Sequence, residues 1–149
     1  MTWRNSWPFG ALAVAITAAL FALSLNVGPY GPLALIAPAP LLIYALSARR
    51  WWMALVAAFA ARALGEAGLF FAYPMLPAAA LALMICAAAL IYALAVLATR
   101  WTAQHAPGWL AVFCYPIALA ASEYVFSLIS PNGTFGAIGY ALVDVPPLL

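Results

Sequence analysis

Three ionisable side chains lie inside long apolar runs of this sequence, and they are the residues most able to do chemistry. Glu123 lies in the apolar run 108–130, and Arg62 and Glu66 lie in the apolar run 52–72. A charged group is costly to bury in a membrane, so such a residue inside a spanning segment indicates a functional site or a packing role. These side chains are therefore the first candidates for a polar site.

Arg62 and Glu66 are spaced to pair within one helix. They are four positions apart, which places them on the same helix face. Small residues at Ala57, Ala61 and Gly65 lie beside them, a pattern that lets membrane helices pack closely. Two interpretations stay open: a neutralised ion pair that orders a helix bundle, or a polar site for a lipid head group or an ion.

Glu123 has no charged neighbour three or four positions away in its own segment. A charged partner must therefore come from another helix or from a further part of the protein; otherwise water must serve. One interpretation is a protonated or hydrogen-bonded packing residue. The other is a residue that shapes a substrate-facing surface, since it lies only about 10 Å from the outer end of its segment at helical rise.

The remaining reactive residue types do not form a catalytic constellation. Cys86 and Cys114 lie in apolar runs without metal-ligand spacing, and the single histidine, His105, is expected in an exposed loop. We therefore expect no catalytic residue, no metal and no cofactor in this chain. The net charge of +2 is too small to indicate a nucleic-acid partner.

The composition excludes a soluble domain. The chain is 70% hydrophobic and 5% charged, so it has too few polar groups to cover a water-exposed surface. We predict an all-α integral membrane protein in which residues 1–130 form a transmembrane helix bundle. Residues 131–149 are predicted to form an extracytoplasmic segment that is truncated. Pro38 and Pro40 predict a kink or a late start in the second span. The predicted spans are 8–25, 31–47, 52–72, 75–99 and 108–130.

The arginines outside the spans predict the orientation. Arg4, Arg49, Arg50 and Arg100 alternate onto one side of the predicted bundle, which places the N-terminus in the cytoplasm and the C-terminus outside it. A cleaved signal peptide is a competing interpretation of the first segment, but a second span follows closely and favours an uncleaved anchor. The tryptophans flank the same cytoplasmic ends: Trp3, Trp7, Trp51, Trp52, Trp101 and Trp109.

Several short segments form an ordered set of motifs. They are 18–24, 28–35, 37–42, 48–50, 121–124, 134–140 and 143–146. Their order resembles the N-terminal membrane half of bacterial apolipoprotein N-acyltransferases. Residues 121–124, with Glu123, resemble that family's Ala-x-Glu-aromatic helix, and Tyr140 resembles the tyrosine of its Gly-Tyr-Ser-Gln segment. The resemblance implies the bacterial cytoplasmic (inner) membrane, and Tyr140 joins Glu123, Arg62 and Glu66 as a candidate substrate-facing or structural residue.

In the family that the motifs resemble, the catalytic residues lie in a separate domain outside the membrane half. The family moves an acyl chain from a phospholipid to a lipoprotein N-terminus, using a Glu–Lys–Cys triad in an extracytoplasmic nitrilase-like domain. This chain has no lysine, so it cannot contain that triad. The resemblance therefore implies an anchoring half, inactive alone, with phospholipid as its partner and a lipoprotein substrate at full length. The alternative is a self-contained small membrane protein, such as a transporter component or an assembly factor.

Overall fold

The computed structural model describes residues 7–24 and 30–129. Within those ranges all regular elements are helices, and there is no strand. This confirms the predicted all-α class. In chain order the helices are α1 (Trp7–Ser24), α2 (Leu33–Ile36), α3 (Ala39–Ser47), α4 (Trp51–Glu66), α5 (Leu69–Ala72), α6 (Ala78–His105) and α7 (Gly108–Ile129).

Four helical segments of the described chain are long and apolar enough to cross a membrane. They are α1, the continuous stretch Trp51–Ala72 formed by α4 and α5, α6, and α7 through Val125. The chain is therefore a multi-pass membrane protein by its structure as well as by its composition. The segment Leu33–Ser47 is apolar but shorter, so four of the five predicted spans have this length.

Two prolines interrupt the helix at the second predicted span. The chain turns at Ala37 and Pro38, between α2 and α3, and both residues keep helical dihedral angles. Pro38 and Pro40 have no N–H to donate to the preceding turn, so the hydrogen-bond ladder breaks there. The predicted interruption of this segment is confirmed.

Helix α6 is longer than the sequence indicated. It begins at Ala78 and contains 28 residues, ending at His105 rather than near residue 99. No glycine or proline interrupts residues 78–105, and Ala106 turns to an extended conformation before Pro107, as a residue preceding proline prefers. The predicted loop at Arg100 and His105 is therefore wrong. His105 is nonetheless exposed, and its ring stacks on Trp101.

Arg100 is buried and binds the end of a neighbouring helix. Its Nη1 donates a hydrogen bond to the carbonyl oxygen of Ala45, in the last turn of α3. The last carbonyl groups of a helix generally lack N–H partners within that helix, and a positive charge there is favoured by the helix dipole. The guanidinium therefore ties α3 to α6 instead of lying free at the surface.

Contacts at the two ends of the helix bundle show that the direction of the chain alternates from one long helix to the next. Near the start of α1, Gly10 lies directly against the ring of Tyr44, close to the end of α3. At the far end of α1, Phe21 lies against Gly65, near the end of α4. Thr102, near the end of α6, donates a hydrogen bond to Cys114 in α7 at 3.4 Å. Helix α4 packs between α1 and α6, and α7 packs on α6.

Some residues used in the sequence analysis lie outside the described ranges. These are Trp3 and Arg4, the turn residues 26–29, and the whole segment 131–149, which includes Tyr140. The predictions for them, including the motif at 134–140 and the role of Tyr140, stay predictions.

Candidate functional site

The predicted ion pair forms inside the bundle. Arg62 Nη2 lies 2.6 Å from Glu66 Oε1, and the two side chains are only 6% and 9% exposed. The i to i+4 spacing therefore produces the expected contact on α4. Because each charge offsets the other, the pair can remain in an apolar interior that would reject either group alone.

The face of α4 that carries this pair consists of small residues. Ala54, Ala58, Ala61 and Gly65 are buried, whereas Ala57 is half-buried. The prediction of a small-residue face is thus confirmed at Ala61 and Gly65. Without bulky side chains on this face, α1 approaches closely enough for Arg62 to be covered.

Aromatic rings continue from the ion pair across the bundle. The Arg62 guanidinium carbon lies 4.7 Å from the centre of the Phe21 ring in α1. Phe21 and Tyr92 meet edge to face at 5.4 Å between ring centres, and Tyr92 and Tyr115 do so at 6.0 Å. Four helices, α1, α4, α6 and α7, therefore contribute to one connected cluster.

The two tyrosines are functional candidates that the sequence analysis missed. Tyr92 and Tyr115 are buried, and their rings meet edge to face. Tyrosine usually lies at the membrane–water interface, so a tyrosine near the middle of an apolar run was the available signal. We name Arg62, Glu66, Tyr92 and Tyr115 together the polar core.

Glu123 lies on the same helix as Tyr115. It follows Tyr115 by about two turns of α7 and is half-buried. The prediction that a charged partner of Glu123 comes from another helix or a further part of the protein, or that water serves instead, stays a prediction. Of the four candidates from the sequence, the structure brings Arg62 and Glu66 together.

The two thiols are separate from the polar core and from each other. Cys86 is exposed on α6, and Cys114 is half-buried on α7, where Thr102 binds it. Thr102 follows Cys86 by 16 positions on α6, so the thiols lie at levels about 24 Å apart along that helix. Among the described residues, no group of three histidine, cysteine or acidic side chains could hold a metal ion.

Comparison with known proteins does not assign a family. No protein-family model matches the chain, and no curated protein or solved structure is significantly similar to it. The resemblance to apolipoprotein N-acyltransferases stays a prediction that depends on the ordered motifs. The geometry itself shows a buried ion pair joined by ring contacts to two buried tyrosines.

Proposed function

We propose that this chain is the membrane-anchoring half of an apolipoprotein N-acyltransferase-like protein in the bacterial inner membrane. The ordered motifs, which include Glu123 and Tyr140, support the family. In this proposal, a phospholipid donates the acyl chain and a lipoprotein accepts it in a nitrilase-like domain joined to the anchor. The bundle holds that domain at the membrane surface and forms the lipid side of its site.

The separation of the reactive groups is the observation that most supports an anchoring role. Acyl transfer through a thioester needs an activated thiolate, a base and an oxyanion-stabilising group together. Cys86 is exposed on an apolar helix, Cys114 is bound by a threonine hydroxyl, and the ion pair lies elsewhere. Within the described residues, these groups are not assembled for that reaction.

The alternating helix contacts support five crossings, and the placement of the arginines supports a cytoplasmic N-terminus. α1 ends beside Gly65, whereas α3 ends beside Gly10, so the chain between them returns along the bundle. Leu33–Ser47 is about 22 Å long as a helix, short for a span, and the residues before it can add length. Arg49 and Arg50 are exposed after this return, as the cytoplasmic side requires.

A second candidate function is favoured by the buried ion pair. Ionisable residues inside membrane bundles commonly belong to ion or substrate pathways. Arg62 and Glu66 with the two tyrosines would suit a self-contained transporter component or assembly factor. The coding DNA past the codon for Leu149 separates the two proposals: continuation into a nitrilase-like domain supports the anchor, and a stop codon there supports the alternative.

Activity gives the functional test. Purified residues 1–149, given phospholipid and a diacylated lipoprotein peptide, should add no acyl mass to the peptide, because no activated thiol is assembled. The same chain extended through its downstream coding sequence should add one acyl chain. In that extended protein, Glu123→Ala should lower the rate by disturbing the surface beneath the catalytic domain.

Mass spectrometry of the peptide measures both results. Cys86→Ala and Cys114→Ala serve as controls in the extended protein, since neither thiol is assigned to the chemistry, and both variants should keep the rate. Turnover by residues 1–149 alone would overturn the anchoring proposal. An inactive extended protein that inserts normally would favour the self-contained membrane protein.

A further inference from the structure

Four buried polar atoms lack a hydrogen-bond partner among the described residues. They are Thr17 Oγ1, Arg62 Nη1, Tyr92 Oη and Tyr115 Oη, and each comes from a different helix. A buried polar group without a partner is unfavourable in any protein, and more so within hydrocarbon, where water cannot compensate from outside. A bundle that folds around four such atoms therefore needs a partner for them.

These atoms belong to one region of the bundle. Thr17 and Phe21 are both fully buried and one turn apart on α1. The Phe21 ring contacts Arg62 and Tyr92, and Tyr92 contacts Tyr115.

Charge determines which ligand suits this region. Arg62 is already neutralised by Glu66, whose carboxylate lies 2.6 Å away. A bound anion would add a further negative charge with no spare cation beside it. A bound metal cation would lie next to a guanidinium, which repels it. A neutral molecule avoids both penalties.

The size of the site and its hydrogen-bonding groups further limit which ligands it can bind. Each of the four atoms has less than 1 Å² of accessible surface, so a ligand that reaches them must be very small, and the side chains around them must shift to admit it. An arginine nitrogen offers only donors, whereas hydroxyl groups can donate or accept. Water both donates and accepts, and buried water molecules typically satisfy about three hydrogen bonds with polar groups that the protein leaves unmatched.

We propose that the polar core and Thr17 form an internal water-binding site that links α1, α4, α6 and α7. Bound water accepts from Arg62 and exchanges hydrogen bonds with the hydroxyl groups of Tyr92, Tyr115 and Thr17. Tyr115 is the buried residue of α7 among those whose burial is described. Water at this site therefore attaches the helix that carries Glu123 to the rest of the bundle.

Removing single hydroxyl groups tests the site. If water binds Tyr92 and Tyr115, then Tyr92→Phe and Tyr115→Phe each remove a hydrogen bond and lower the midpoint of unfolding in detergent. If the hydroxyl groups are truly unmatched, the same changes remove a buried polar penalty and raise the midpoint. Tyr124→Phe is the matched control, because Tyr124 lies on α7 and is 66% exposed, and its midpoint should not move.

A direct measurement on the unmodified chain keeps the proposal testable if a variant fails to fold. Solid-state NMR of the protein in lipid bilayers, with ¹³C at tyrosine Cζ, detects magnetisation transferred from water protons. We expect fast transfer to Tyr92 and Tyr115, assigned by the signals that disappear in the phenylalanine variants. Unmoved or raised midpoints in both variants, or no transfer to either tyrosine in the folded protein, would overturn the water site.

Discussion

Replacing Glu66 with alanine is expected to destabilise the bundle by about 3–5 kcal/mol, the range for breaking a buried ion pair. Arg62 would keep its position between α4 and the Phe21 ring but would lose the carboxylate 2.6 Å away. An uncompensated guanidinium at that depth must then remain buried or disrupt the packing around it. Unfolding of the purified protein by a denaturing detergent, followed by circular dichroism, measures the loss.

The double variant Arg62→Leu with Glu66→Leu is the informative control. It removes both charges together and leaves apolar side chains of moderate size, so we expect a smaller loss than from Glu66→Ala or Arg62→Ala alone. A smaller loss of stability in the double variant than in either single variant would show that the ion pair has a structural role in the bundle. If single and double variants insert normally and lose function equally, the pair instead acts directly in a functional site.

Adding one methyl group at Gly65 should also have a large effect. A β-carbon at this position would lie 2.7 Å from Cβ of Phe21 and 3.2 Å from the backbone oxygen of Ala18. Neither neighbour is the flexible end of a side chain, so α1 and α4 must move apart. We expect Gly65→Ala to cost about 1–3 kcal/mol, as overpacking of a well-packed core does.

Gly68 provides the matched control three residues further along the same apolar stretch. A β-carbon there would meet nothing within 4 Å, and Gly68 has helical dihedral angles. Gly68→Ala should therefore leave the unfolding midpoint unchanged or raise it slightly. An equal loss at both positions would show that the close approach of α1 at Gly65 is not what stabilises the contact.

The sequence predicted most of what local spacing controls. A spacing of four positions between Arg62 and Glu66 is sufficient to form the ion pair, because both side chains share one face of a helix. The lengths of the apolar runs likewise predicted the long helices, and the two prolines predicted the interruption between α2 and α3. These features depend on residues close to one another in the chain.

Features that depend on contacts between distant segments were not predicted. Arg100 looked like a loop residue because positive charge usually marks the membrane surface, yet it binds Ala45 across 55 positions. Tyr92 and Tyr115 looked like ordinary apolar-run residues because their contact joins α6 to α7.

Reporter fusions along the chain test most directly the claim of a five-crossing anchor with a cytoplasmic N-terminus. A reporter active only outside the cytoplasm should be active when fused after Tyr30, Tyr73 or Leu149, and silent after Arg50 or Ala106. A reporter that fluoresces only inside should give the opposite pattern. Activity after Arg50 with silence after Leu149 would contradict the orientation, and equal activity after Tyr30 and Arg50 would contradict the crossing by Leu33–Ser47.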